Sequence, residues 1–133
     1  MTHGAPTPSR VVGAARWTFL AYALALAIAT HWPQLRVGLG SIPRPDLFIH
    51  VGVFAGWAFL CARAAWFGPR FSPANILGAA GIGLAYGAID EATQAIEIVR
   101  RSARWDDLAA NILGVGAGIG ATLLLGALET PDA

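Results

Sequence analysis

The sequence predicts an all-α protein: an integral membrane, up-down bundle of four transmembrane helices. Three observations carry that prediction. Hydrophobic residues make up 56% of the 133 residues and charged residues only 13%, where a soluble domain carries about a quarter charged; mean hydropathy is +0.56. The apolar residues gather in four runs near the length a helix needs to cross hydrocarbon, about 17–25 residues. The connections between runs are short and rich in Pro, Gly and Arg, which makes successive runs antiparallel neighbours. Backbone groups in lipid must be paired within their own segment, so each run should be a helix.

The first span, about 11–30, is apolar except for Arg16, whose long stem lets its charge reach the interface. The same stretch follows Arg10 and Arg16 and ends in Ala27-Ile28-Ala29, so it also matches a signal peptide with a small-x-small cleavage pattern. The second span, about 46–65, opens with Asp46 after Pro45 and carries His50 one turn on. The third, about 74–98, begins after Ser72-Pro73, an N-cap followed by a first-turn proline. It is apolar from 74 to 89 apart from Asn75, and reaches full length only if the helix continues through Asp90-Glu91 towards Ile98. The fourth, about 107–128, has Asn111 as the strongly polar residue within its apolar run. One domain fills 1–133, with short tails at 1–10 and 129–133. Trp17, Trp32, Trp57, Trp66 and Trp105 fall mostly near span ends, where aromatic belts sit.

Composition also excludes function classes. Net charge is +1, all nine basic residues are Arg, and no basic run is interleaved with aromatics; nucleic acid is therefore not an expected partner. Cys61 is the single cysteine, which rules out an intrachain disulfide. Its apolar surroundings read as a small buried side chain rather than a reactive thiol. A GxGxxA match within 114–121 lies mid-span, without the preceding strand that dinucleotide binding requires. It reads better as close helix packing, as do the pairs Gly52/Gly56, Gly83/Gly87, Gly114/Gly118 and Gly116/Gly120. No cofactor is expected. No metal is expected either, because a lone His among carboxylates is a weak zinc signature.

The informative residues are the few polar ones at the span ends. Asp46 and His50 are four apart and share a helix face. Asp90, Gln94, Glu97 and Arg101 form one stripe if the third helix persists. Asp107 and Asn111 share a face that Gly114 and Gly118 continue, which should turn them into the bundle. In an up-down bundle the second helix starts, the third ends and the fourth starts on the same side. The three groups should therefore converge at one membrane surface. Ionisable groups at that depth are costly and mark functional sites, so the expected ligand-binding set is Asp46, His50, Asp90, Glu91, Gln94, Arg101, Asp107 and Asn111.

Three functions compete for this set. One is a binding module for a polar or lipid-linked ligand, with Arg101 suited to phosphate or carboxylate. A second is an intramembrane enzyme acting on a lipid, with Asp46 orienting His50 as acid or base and Asp90 or Glu91 as its counterpart. A third is a structural or partner-binding subunit whose polar groups fix the register of the bundle. Membrane lipid is an expected partner, and the Gly-xxx-Gly faces offer a route to a homo-oligomer.

In their order along the chain these residues resemble the VanZ-like family of small bacterial membrane proteins. The resemblance rests on Asp46-Leu47-Phe48-Ile49-His50, on Asp90-Glu91-Ala92-Thr93-Gln94, on Arg101, and on Asp107-x-x-x-Asn111-x-x-Gly114, covering about 46–118. The connection at 95–101 departs from the family pattern, which is slightly shorter and usually contains Pro-Gly. Spacing to Asp107 favours Arg101 over Arg100 as the matching arginine. The resemblance implies a multi-pass protein of the bacterial cytoplasmic membrane. Since the founding member is linked to teicoplanin resistance, it also implies a cell-envelope role in glycopeptide resistance, with a lipid-linked cell-wall precursor or a lipoglycopeptide as partner.

Overall fold

A computed structural model describes residues 8–32, 44–94, 96 and 104–129. Four helices account for nearly all of them: α1 (Pro8–His31), α2 (Pro45–Arg63), α3 (Pro73–Gln94) and α4 (Trp105–Glu129), with no strand among the described residues. Proline opens three of the four, where its missing N–H costs nothing and its fixed φ suits the first turn. The helices alternate in direction as an up-down bundle. Tyr22 of α1 donates its hydroxyl to the Val53 carbonyl of α2, and Arg16 reaches the Ala64 carbonyl at the far end of α2. Asn75 opens α3 beside the end of α2, donating to the Ala62 carbonyl.

The closest approach is between α2 and α4, which run parallel. A Cβ on Gly114 would lie 2.9 Å from Phe54 Cβ and 3.1 Å from the Ala55 nitrogen, and one on Gly118 would strike the Ala55 carbonyl. These two glycines allow backbone against backbone, the small-xxx-small contact of membrane helices. Gly83 and Gly87 of α3 instead make room for side chains, those of Val115 and Trp57 at 83 and of Asn111 and Phe54 at 87. Gly52, Gly116 and Gly120 meet nothing within 4 Å.

The bundle is turned outward relative to a water-soluble one. Leu77, Leu113 and Trp105 are 71%, 66% and 86% exposed. Among the described residues, the largest fully buried side chains are Phe54, Gln94, Asn75, Asn111, Thr122, Asp90 and Cys61, of which five are polar. An apolar exterior around polar interior contacts is stable in lipid and a liability in water. By length and composition, Val11–His31, Pro45–Arg63 and Trp105–Glu129 are each able to cross a membrane. The chain is thus a helical bundle of the multi-pass membrane class.

Two expectations need correction. The described part of the third helix ends at Gln94 and the chain bends at Ile96, whose N–H donates to the Thr93 carbonyl, short of the expected end at 98; residues 97 and 98 lie outside the described residues. Helix α3 is also the one not among the three apolar enough to span. It has the length, but Asn75, Asp90, Glu91 and Gln94 lower its hydropathy, and all four point inward. Trp57 is not interfacial either. It is buried mid-bundle, stacked on Tyr86 at 5.4 Å with Phe19 edge-on at 5.0 Å.

The end away from the polar cluster is closed by side-chain caps. Arg16 donates to the carbonyls of Ala64 and Ala65 at 3.0 and 3.1 Å, with its guanidinium 4.5 Å over the Trp66 ring. Asn75, fully buried, donates to the carbonyls of Ala62 (2.7 Å) and Arg70 (2.9 Å) and accepts from the Phe67 N–H (3.3 Å). Asn75→Ala strands these groups in an apolar setting and should cost about 3 kcal/mol, read as a lowered unfolding midpoint in detergent micelles.

Candidate functional site

All four helix termini on the other side of the bundle contribute polar side chains. Thr30 and His31 come from the last turn of α1 and His50 from the second turn of α2. Asp90, Glu91 and Gln94 come from the last turns of α3, and Asp107 and Asn111 from the first turns of α4. Gly87 sets the floor of this end, since a Cβ there would come within 3.2 Å of both Asn111 Cβ and the Phe54 ring. That absence of a side chain lets α3 lie against α4 directly beneath the cluster.

The polar groups divide into two hubs. In the first, between α1 and α3, Asp90 Oδ1 accepts from Thr30 Oγ1 (2.7 Å) and Oδ2 accepts from Gln94 Nε2 (2.8 Å). His31 Nδ1 lies 3.8 Å from Asp90 Oδ1, and His31 Nε2 lies 2.8 Å from Thr93 Oγ1. Both oxygens of this buried carboxylate are therefore partnered. In the second hub, between α2, α3 and α4, His50 Nδ1–H donates to Asn111 Oδ1 (2.7 Å). Glu91 Oε1 lies 4.0 Å from the same imidazole nitrogen, and Glu91 Oε2 accepts from the Arg104 N–H (3.2 Å).

The second hub is only partly satisfied. Glu91 Oε1, Asp107 Oδ1 and Asn111 Nδ2 are buried without a hydrogen-bond partner. Native interiors rarely leave such groups, and each one asks for an explanation. Beside them a cavity of about 300 Å³ opens between α3 and α4, lined by Ala88, Glu91, Ala92, Arg104, Trp105 and Leu108.

A belt of ion pairs crosses the rim. Arg44 donates to Asp106 and, at 3.4 Å, to Asp46, and lies 3.8 Å from Asp107. Arg104 grips Asp106 with two bonds of 3.1 and 3.2 Å. Hydrogen bonding to Asp106, chiefly, raises the pKa of both guanidinium groups, so both stay charged. Arg44 holds φ 53 and ψ 59 immediately before Pro45. For a non-glycine residue that conformation costs about 1–3 kcal/mol and tends to persist at functional sites.

Of the sequence-derived set, His50, Glu91, Asp107 and Asn111 come together in one hub, and Asp90 and Gln94 in the other. Asp46 joins neither: its carboxylate is 42% exposed and bonds Arg44, so it does not orient His50. Arg101, with Glu97 and Arg100, lies outside the described residues. Sequence reasoning passed over Thr30, His31, Thr93, Arg44, Arg104 and Asp106. His31 was open to the same helix counting as the others, because α1 ends where α2 begins. Arg44 and Asp106 meet through connections that no helical spacing describes.

The fold and site define a multi-pass membrane bundle with a partly unsatisfied polar pocket at one end. Comparison with protein-family models, curated proteins and solved structures returned no match.

Proposed function

We propose that this protein is a VanZ-like multi-pass protein of the bacterial cytoplasmic membrane that binds the polar head of an amphiphilic envelope ligand. The observation that carries the reading is Glu91, which lines the α3–α4 cavity and keeps Oε1 buried without a hydrogen-bond partner, a condition shared by Asp107 Oδ1 and Asn111 Nδ2 in the same hub. Two carboxylate acceptors and one amide donor complement a head rich in hydroxyl and amide groups. Trp105 and Leu108, on the wall of the cavity, suit an acyl or prenyl tail. Arg44 and Arg104 at the rim favour phosphate.

A lipid-linked cell-wall precursor has this chemistry, and so does a lipoglycopeptide of the teicoplanin type. Binding either would account for a contribution to glycopeptide resistance. The enzyme alternative loses its Asp46–His50 pair, since Asp46 bonds Arg44.

The test is a titration of the full chain in nanodiscs with a lipid-linked muramyl-pentapeptide precursor and, separately, with teicoplanin, followed by native mass spectrometry and Trp fluorescence. One of the two should bind saturably. Asn111→Ala should weaken that binding at least tenfold, about 1.4 kcal/mol, while helicity is unchanged. Failure of the wild-type chain to bind either amphiphile would overturn the reading, as would full affinity in a folded Asn111→Ala variant.

A further inference from the structure

We propose that His50, Glu91 and Asp107 hold a divalent transition-metal cation of the Mn²⁺-to-Zn²⁺ class. The argument begins with geometry. One imidazole nitrogen and one oxygen from each carboxylate lie within 4.8 Å of one another, and all three residues are buried. They come from three different helices, so the bundle itself builds the constellation. A cation with donors at about 2.1 Å sets neighbouring ligand atoms roughly 3–3.5 Å apart. Closing the set therefore takes movements of about 1 Å, within reach of side-chain rotation.

The second observation is independent of the spacing. Glu91 is 5% exposed and Asp107 7%, and one oxygen of each has no hydrogen-bond partner. Asn111, 1% exposed, leaves Nδ2 unpartnered in the same place. Buried carboxylates are normally paired or bound to a metal. The cations near this end cannot serve: Arg104 is engaged by Asp106, and Arg44 is shared between Asp106 and Asp46, with Asp107 only at 3.8 Å. Among the described residues at this end, the five carboxylates of Asp46, Asp90, Glu91, Asp106 and Asp107 outnumber the two guanidinium groups of Arg44 and Arg104, and the other basic groups are the imidazoles of His31, beside Asp90, and His50, beside Glu91.

Donor chemistry then selects the ion. A nitrogen with two carboxylate oxygens and no thiolate fits Zn²⁺, Mn²⁺ or Fe²⁺ better than Cu⁺, and the imidazole disfavours Mg²⁺ and Ca²⁺. One outer partner is of the kind a metal site uses. The Arg104 N–H holds the second oxygen of Glu91, and His50 Nδ1, the nitrogen 4.0 Å from Glu91 Oε1, exchanges its bond to Asn111 Oδ1 for the cation. Three protein donors leave coordination positions open, which oxygen atoms of a ligand head would fill; in that respect the inference rests on the binding function proposed above. The sequence hid this set because its members are 41 and 16 positions apart, in no ligand spacing.

The experiment uses the full chain, purified in detergent, stripped with chelator and titrated with ZnCl₂ or MnCl₂ alone. About one ion per chain should bind with a raised unfolding midpoint, and Mn²⁺-loaded protein should show ¹⁴N coupling from His50 by pulsed EPR. Glu91→Gln and Asp107→Asn, each isosteric, should lose more than about 100-fold in affinity, exceeding the 10–100-fold typical of outer partners. Glu129→Gln, at the opposite end, should bind as the wild type does. Failure of folded wild-type protein to bind either ion would overturn the proposal. So would unchanged affinity in folded Glu91→Gln and Asp107→Asn, or Mn²⁺ bound without ¹⁴N coupling. No amphiphile enters these measurements: a chain that binds the metal but neither amphiphile overturns the ligand reading alone, and the reverse overturns the cation alone.

Discussion

Gly118→Ala is expected to be among the most damaging single-methyl additions to this protein, and Gly116→Ala, two residues away, to be harmless. A Cβ at 118 would strike the Ala55 carbonyl oxygen and lie 3.0 Å from the Phe59 nitrogen. Those atoms are backbone of α2, and backbone in a packed helix has no rotamer to yield with. Helices α2 and α4 must separate or slide, and the contacts around Phe54 and Ala58 go with them. Overpacking of a tight core costs about 1–3 kcal/mol, more where nothing can relax; about 3 kcal/mol is expected here. At 116 nothing lies within 4 Å, and exchanging Gly for Ala in a helix gains up to about 1 kcal/mol. The two variants should therefore move the unfolding midpoint in detergent in opposite directions. Equal midpoints would mean that α2 and α4 are not in backbone contact.

The contrast shows how much was legible in the sequence. Four glycine pairs at four-residue spacing look alike on paper. Helical arithmetic separates 114/118 from 116/120 by about 200° around the axis, so both pairs on α4 could not face α2. On sequence both pairs read as packing faces; the structure sets 114/118, on the face of Asp107 and Asn111, against α2, and leaves 116 and 120 with nothing within 4 Å. Convergence of three helix ends on one side followed from counting helices and holds in the structure: His50, Glu91 and Asn111 meet across α2, α3 and α4. What counting could not supply is rotation. Asp90 and Glu91 are adjacent, and the 100° between them sends one to Thr30 on α1 and the other to His50 on α2. Asp46 shares a nominal face with His50, yet it sits in the first turn, where the strained Arg44 just before it draws the carboxylate outward.

That division makes Asp90 and Glu91 opposite in their expected effect on stability, which separates a binding site from structural glue. Asp90 has both oxygens partnered, by Thr30 at 2.7 Å and Gln94 at 2.8 Å. Asp90→Ala removes two charge-assisted bonds and strands the Gln94 amide, for an expected loss of about 3 kcal/mol. Glu91 gives one oxygen to the Arg104 N–H and leaves the other without a hydrogen bond, 4.0 Å from His50 Nδ1. Glu91→Gln retains an acceptor for the Arg104 N–H and replaces a buried anionic oxygen that has no hydrogen bond with an amide near Asp107. Relief of that buried charge should stabilise the chelator-treated protein by about 1 kcal/mol, while metal and ligand binding are lost. A residue retained at a cost to stability is held there by function; one retained for register would lower stability when changed. Unfolding both variants in mixed micelles with chelator present decides between them. Loss of stability in Glu91→Gln comparable to that of Asp90→Ala would place Glu91 with the structural hub and remove the main support for a site at this end of the bundle.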